Sequence, residues 1–456
     1  MPGVDQLDPN NKDQQKAADK EFSDRRMFID KNRQYYNGDM PKPLEDEKDN
    51  ILLNLCREVV DQTVSFLLPE MPDFEVDNDE NTSETEGWLK DFWEANGGAT
   101  VLSNVATNGG LCGQAYAKVK PAAMDEEERE HAYPRIVNLD PANSITWWKD
   151  DNFKLLRGYE LRWNDRELGS DKTHSRNLNG GEQKAGHRQI VKYVGGVWEI
   201  SEYIGTNDGW IAEGEPMVWG YPLPPIVSGQ HLPKPNSYYG ADEIPHRFLN
   251  DAVNKVASDM KSILRYHAFP TTVGTGFNAS DLVETSVDGF YSINNPDAKV
   301  YNVEMASDLA SSMNLLNELS GLFFRQSRVV QIRGGLDVFR GVTNLGIRAA
   351  YMPMIAKNET LRRTYSTFIE RVSRVALMLD GRPHDIPLRL KWGSALPMDE
   401  KEEITNLQME MAMGIMSKRM AAKRRGRDYD MVRKDVMQEQ MDTGVMVEGV
   451  PVGVSG

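Results

Sequence analysis

The chain has 456 residues, a formal net charge of −16, 39% hydrophobic residues and 27% charged residues. That length buries a real core and divides into two or three domains, and the balance is that of a soluble globular protein. The acidic excess argues against a protein that grips nucleic acid by charge alone, although an acidic wall that repels phosphate suits a conduit.

No apolar run approaches the roughly 18–20 residues that span a bilayer. Met1 to Lys20 is polar and lacks the apolar stretch of a secretory signal. Cys56 and Cys112 are the two cysteines, each among apolar neighbours. They read as buried reduced thiols, and synthesis in the cytoplasm follows.

Residues 1–15 are polar and read as frayed. Spacing predicts a helix from about Lys16 to Tyr36, with Phe22, Ile29 and Tyr36 on one stripe and Asn37-Gly38-Asp39 as its end. A second helix is predicted over Ile51–Leu68. Its stripe is Leu52, Leu55, Val59, Thr63 and Leu67, and Pro69 and Pro72 stop it. Residues 70–94 set ten carboxylates against Lys90, and Trp88 and Phe92 mark an amphipathic helix among them. That face is either solvated or a dock for a basic partner.

From Gly113 to about Gly220 the period changes to two, which predicts antiparallel strands with one wet face. Gln114–Lys120 alternates. Leu155, Tyr159, Leu161 and Trp163 share one face of a later strand. Gly195-Gly196 separates Val191–Val194 from Val197–Ile204 as a hairpin turn. Asp165–Gln189 reads as a long polar loop. Gly220–Asn236, with Pro222, Pro224, Pro225, Pro233 and Pro235, reads as a rigid connector between domains.

A helix follows over about Ile244–Tyr266, with Leu249, Val253, Val256, Met260 and Ile263 as its stripe. Residues 268–304 return to short strands and turns. Met305–Arg328 is helical, with Leu309, Met313, Leu316, Leu319 and Phe323 on one face. Gln331 to Asn344 is a basic break containing Gly334, Gly335 and Gly341. A long helix, Leu345–Leu379, comes next. Leu361, Tyr365, Phe368, Val372, Val375 and Leu379 form a heptad-like seam in it, and Pro353 predicts a kink. Gly381-Arg382-Pro383 ends that helix. Ile386–Trp392 is a short strand, Met398–Met416 and about Lys418–Met441 are helical, and Gly444–Gly456 is a flexible tail. The fold class is α+β.

Familiar catalytic signatures are missing. There is no Gly-Lys dipeptide and hence no phosphate cradle of the P-loop kind. The seven histidines hold no helical metal pair, and no Gly-x-Ser-x-Gly elbow occurs. Gly274-x-Gly276 lacks the third glycine of a dinucleotide site. These findings point away from an enzyme, with no catalytic residue, no metal and no cofactor. An enzyme with a dispersed carboxylate site is the remaining catalytic alternative. Two helices joined by a flexible polar loop make a device for touching something that moves.

Several segments, taken in order, carry a resemblance. They are Tyr35-Tyr36-Asn37-Gly38-Asp39, Asn50-Ile51 through Val59-Val60-Asp61, Gly113-Gln114-Ala115-Tyr116 and Leu139-Asp140-Pro141. Further on come Tyr239-Gly240-Ala241-Asp242-Glu243-Ile244, Leu249-Asn250-Asp251-Ala252-Val253-Asn254 and Tyr351-Met352-Pro353-Met354. Leu390-Lys391-Trp392, Leu396-Pro397-Met398-Asp399 and Gly414-Ile415-Met416-Ser417 complete the set. Over roughly residues 35–440 the chain resembles the portal protein of tailed double-stranded DNA bacteriophages, in the branch related to the Bacillus siphophage portals. Val342-Thr343-Asn344 stands where that family commonly has a Ser-Gly lead-in, and the loop is richer in Gly and Arg than the family pattern.

The resemblance implies a plan. Residues 1–240 are a wing of helices and antiparallel sheet, 241–267 and 305–330 are two stem helices, and 268–304 are a small α/β clip. Residues 331–344 are a tunnel loop, 345–393 a long kinked helix returning to the wing, and 394–456 a helical crown. About twelve copies close into a ring at one capsid vertex of the virion, a heterologous interface closed by rotation. Viral double-stranded DNA passes through without being read. The implied partners are the terminase large subunit, a head-completion or neck adaptor protein, and the major capsid and scaffolding proteins; no membrane is involved.

In that plan Gln331, Arg333, Arg340, Thr343 and Asn344 are the DNA-facing tunnel residues. An ordinary solvated loop or an intersubunit salt bridge is the alternative for its arginines. Lys255, Ser258, Lys261, Ser262 and Arg265, with Asn254, line either the channel or a neighbouring subunit. The basic run of Lys423, Arg424, Arg425 and Arg427 either meets packaged DNA or is a solvated face paired with Asp428 and Asp430. A stand-alone DNA-binding or scaffold-like protein using that C-terminal helix is the rival reading.

Overall fold

The computed structural model describes residues 3–45, 47–76, 82–122, 132–164, 186–206, 209–268, 272–276, 283–284, 291–292, 296–302, 309–331, 344–394, 400–425 and 429–443. The chain forms two compact units, residues 1–393 and 394–456. The first opens with helix α1 (Lys12–Asn37), which starts four residues earlier than its apolar stripe suggests. The cause is Asn11, whose side chain accepts from Asp13 N and Gln14 N and caps the helix. Next come α2 (Leu55–Leu67), β1 (Asp73–Val76), α3 (Thr82–Ala95) and α4 (Ala99–Cys112). Strands β2 (Gln114–Lys120), β3 (Arg135–Leu139), β4 (Ser144–Lys149), β5 (Asn152–Asn164), β6 (Gly186–Val194), β7 (Val197–Thr206), β8 (Gly209–Ala212), β9 (Met217–Val218) and β10 (Ile226–Gln230) follow.

Strands β4 to β8 form one antiparallel sheet in sequence order, with β9 beside β7, and β10-β2-β3 form a second. Gly195-Gly196 turns the β6–β7 hairpin as the sequence predicts, both with positive φ. Two expectations fail here. The larger sheet is covered on both faces, so neither face is left wet. Ile190 packs with Leu7, Ala18, Phe22 and Trp147 on one side, and Val191 packs with Tyr116, Tyr159 and Ile226 on the other. Leu155 is half exposed, because the β4–β5 register slips between Trp147 and Trp148. The bulge sends Leu156, not Leu155, to the side of Tyr159 and Leu161. Residues 165–185 of the predicted loop lie outside the described residues.

The segment Gly220–Asn236 is not a connector. Its centre, Ile226–Gln230, pairs antiparallel with β2, and Ile226 is fully buried. The prolines flank a strand, which is where a residue without a backbone donor is tolerated.

Helix α5 (Arg247–Ala268) leads to short strands β11 (Thr272–Thr275), β12 (Val283–Glu284), β13 (Tyr291–Ser292) and β14 (Lys299–Asn302). These pair as β11-β14 and β12-β13. Then come α6 (Leu309–Ser327), α7 (Asn344–Leu379) and β15 (Leu388–Lys391), the last paired with β1. Helix α7 continues through Pro353. Its predicted seam holds, for Leu361, Tyr365, Phe368, Val372 and Val375 are buried in the largest core cluster with α2, α4 and β2. On α6 the stripe is only partly covered, and Met313 stays 47% exposed. In the second unit, α8 (Glu400–Ala412), α9 (Lys418–Arg424) and α10 (Tyr429–Thr443) replace the two helices expected there.

Helix α2 begins at Leu55, not Ile51, and the reason is a ladder on α5. Asn250 Oδ1 accepts from Leu55 N at 2.9 Å, Asn254 Oδ1 from Leu53 N at 2.8 Å, and Ser258 Oγ from Ile51 N at 2.9 Å. Four residues of helix rise about 6 Å and two residues of extended chain about 6.6 Å, so the two repeats stay in step over three rungs. The extended segment leaves Leu52 and Leu53 about 40% exposed, which removes Leu52 from the predicted stripe.

Asn254 is 1% exposed. Asn254→Ala strands a backbone N–H and is expected to cost about 1–3 kcal/mol. Urea unfolding checks this, with Lys255→Ala, at an exposed neighbouring position, changing the midpoint little.

Candidate functional site

Between the end of α6 at Ser327 and the start of α7 at Asn344 lies the break that the sequence singles out. One buried cation ties the first root, Ser327, to the body of α7. Lys357 sits on α7 at 2% exposure and spends its three ammonium hydrogens inside the protein. It donates to Ser327 O at 2.9 Å, to Thr63 Oγ1 on α2 at 2.9 Å, and to Glu243 Oε2 at 2.6 Å. Glu243 precedes α5 and is 3% exposed. Its other oxygen lies 2.9 Å from His231 Nε2, and His231 Nδ1 lies 2.8 Å from the Tyr365 hydroxyl. Burial pushes the Tyr365 phenol up, which favours its protonated hydroxyl beside the ring.

The surrounding backbone is shaped to admit this network. His231 N donates to Gly113 O, and Glu243 N donates to Gly110 O. Gly109 lies against the Tyr365 hydroxyl and His231, where a Cβ would overlap both. A glycine inside a helix costs stability, and close approach is its compensation here. Burial alone would raise the Glu243 carboxyl, but the Lys357 ammonium and the His231 hydrogen bond hold it below the usual carboxylate range. For Lys357, burial dominates and lowers the ammonium, with Glu243 offsetting only part.

The set looks like acid–base machinery, yet His231, Glu243, Lys357 and Tyr365 are all at most 3% exposed. No reactant reaches them, and they act as a tie. Among the described residues no group of three or more His, Cys, Asp or Glu is placed to hold a metal ion. A cavity of about 230 Å³ lies elsewhere, between α1 and the larger sheet, lined by Phe22, Arg26, Arg162, Trp163 and Trp210. Its cations are already paired, Arg162 with Asp19 and Glu160, and Arg26 with Asp30.

Residues 15–160 and 247–440 match the family model described as phage portal protein, SPP1 Gp6-like. The chain belongs to this portal protein family. No curated protein matches it. His231 and Glu243 fall between the two matched stretches, while Lys357, Tyr365 and Ser327 fall within the second.

In this portal protein the expected site residues are spread unevenly. Gln331 is half-buried, Arg333, Arg340 and Thr343 lie outside the described residues, and Asn344 opens α7. The α5 set is divided between buried and exposed positions, and most of it is already hydrogen-bonded within the chain. Ser258 is fully buried, Lys261 donates to Lys48 O at 2.6 Å, and Ser262 and Arg265 both reach Asp49 Oδ2. Asn254 and Ser258, as rungs of the ladder, are buried against the segment before α2. Lys255 is exposed and pairs with Asp259. In the second unit Arg425 is exposed and Arg427 lies outside the described residues. Lys423 and Arg424 close α9. Both carboxylate oxygens of Asp430 accept from Arg419 Nη2. Sequence reasoning missed Lys357 and Glu243, since a lysine in a polar helical stretch carries no mark of burial.

Removing one partner leaves a buried charge. Lys357→Met or Glu243→Gln alone is expected to cost about 3–5 kcal/mol, and the double variant to recover much of it. A double-mutant cycle of denaturant unfolding reads this directly. The sign with pH is also fixed. A carboxyl depressed in the fold stabilises above its unfolded value and loses that contribution as pH falls through the folded one. The wild type should therefore lose stability relative to the double variant below about pH 4, as pH-dependent unfolding midpoints will show.

Proposed function

We propose that this chain closes with further copies of itself into a ring at one capsid vertex, the channel through which viral double-stranded DNA enters and leaves. The match over both matched stretches of the chain carries the reading. In it, residues 331–344 border the hole, and Gln331, Arg333, Arg340, Thr343 and Asn344 meet phosphates without reading sequence. The buried tie at Lys357 supports this, because a loop that bears on a moving duplex needs fixed roots. Uncovered apolar side chains on the stem pair support assembly. Leu264 on α5 and Met313 and Leu315 on α6 are each about half exposed in the single chain.

The remaining assignments follow the same plan. Residues 1–240 and 345–393 form the wing, 268–304 the clip that docks the terminase large subunit and later a neck adaptor, and 394–456 the crown. The crown's basic run, Lys423 to Arg427, is assigned to packaged DNA. Lys255 is the α5 residue best placed for the channel, since it alone of the five candidates on α5 reaches solvent with only an exposed side chain as partner. The major capsid and scaffolding proteins surround the ring. The protein supplies a passage and a dock, not a reaction.

Negative-stain electron microscopy of the purified protein should show annular particles with a central hole. Compact single-chain particles at high concentration would overturn the reading. Arg333→Ala with Arg340→Ala should leave rings intact and lower the yield of DNA-filled heads, and an unchanged yield removes the loop from this role.

A further inference from the structure

Among the described residues five helices end in the same turn, and one of them breaks its rule. In each, the residue after the cap donates three residues back and the next residue donates five back. The pairs are Gly38–Tyr35 with Asp39–Gln34 on α1, and Gly97–Glu94 with Gly98–Trp93 on α3. Gly381–Met378 with Arg382–Leu377 ends α7, and Gly414–Met411 with Ile415–Glu410 ends α8. The turn needs a left-handed residue at its first donor, which favours glycine. Gly38, Gly97, Gly381 and Gly414 supply it, with φ between 71° and 94°.

Helix α6 makes the same turn with Arg328. Arg328 N donates to Arg325 O at 3.2 Å and Val329 N to Phe324 O at 3.1 Å, and Arg328 has φ 53°. Asn236 is the other non-glycine residue with positive φ among the described residues, and Asn tolerates that conformation where Arg does not. The charge is also misplaced for stability. After burial, and against the pull of Glu243, the field of Arg328 is one of the influences that lower the Lys357 ammonium, so it works against the buried cation that ties the loop root.

The side chain gains nothing visible in return. Arg328 is exposed, and no carboxylate among the described residues lies within ion-pair distance of it. Other cations on α5 and α6 differ: Arg325 pairs with Glu318, Lys255 with Asp259, and Arg265 with Asp49. Strain retained where four sister turns avoid it marks a position kept for something other than folding.

We propose that Arg328 is a phosphate-contacting residue at the root of the 331–344 loop, engaging the backbone of the duplex that passes. The inference rests on the channel reading above and adds to it a residue on the rigid end of α6. It predicts an unusual combination, in which the variant that folds better works worse.

Arg328→Gly, Arg328→Lys and the wild type are purified and compared in three measurements. Thermal unfolding should shift upward for Arg328→Gly, since strain and like charge are both removed. Electron microscopy should show rings for all three. Binding of short duplexes of unrelated sequence to those rings should weaken for Arg328→Gly by the same factor for each sequence. The slope of log affinity against log salt should also become shallower by about one per engaged arginine, with Arg328→Lys near the wild type. A loss of stability in Arg328→Gly would make Arg328 a structural residue and overturn the proposal. So would unchanged affinity and slope in intact rings. Absence of rings in the wild type would instead sink the channel reading, and this proposal with it.

Discussion

The ammonium of Lys357 is the constraint to which the first unit is fitted. A charge taken out of water costs several kcal/mol after relaxation, and only a complete set of partners offsets that. All three of its hydrogens are satisfied, by α2, by the last carbonyl of α6, and by the carboxylate before α5. Each partner is itself committed. Glu243 is held by His231 and by Gly110 O, and His231 by Gly113 O and Tyr365. A buried pair of this kind is weak as a source of stability and strong as a source of register, because a slip of any element leaves a buried charge unpaired. The glycines at 109 and 110 belong to the same solution, since they let α4 close on the network.

The consequence for the region between α6 and α7 is mechanical. Ser327 is the final residue of α6, and its carbonyl is bonded to a lysine inside α7. A pull on the chain after Ser327 acts against hydrogen bonds in the core, not against a frayed helix end. The polar ladder does the same for α5, pinning Asn250, Asn254 and Ser258 to the segment before α2. Helices α5 and α6 are thereby both fastened to α2, one directly at Asn250 through Leu55 and one through Thr63 and Lys357.

What the sequence made legible follows from how local each signal is. The seam of α7, the Gly195-Gly196 hairpin and the buried cysteines rest on spacing or on immediate neighbours, and all stand in the structure. The errors come from tertiary choices. Leu52 fits a helical stripe, but pairing with α5 keeps its segment extended. Prolines around Ile226 suggest a linker until β2 is seen to need a partner. Leu155 keeps its parity only if no bulge intervenes. The four-residue spacing of Asn250, Asn254, Ser258 and Ser262 was visible, yet it reads equally as a wet face or as rungs. Lys357 was invisible for the same reason, because nothing local separates a buried lysine from a solvated one.

Charge closes the argument. A chain of net charge −16 has cations to spare only where they are left unpaired. Across both units many are neutralised: Arg33 by Asp140, Arg188 by Glu160, Arg382 by Glu84, Arg419 by Asp430. A passage has to hold its cargo weakly, since each phosphate engaged adds to the release a moving duplex must repeat at every step. On the proposed channel reading, sparse positive charge in a chain of acidic excess meets that requirement. A broad basic surface would grip a duplex instead of letting it slide, and an acidic excess is the physical condition under which the proposed channel avoids that.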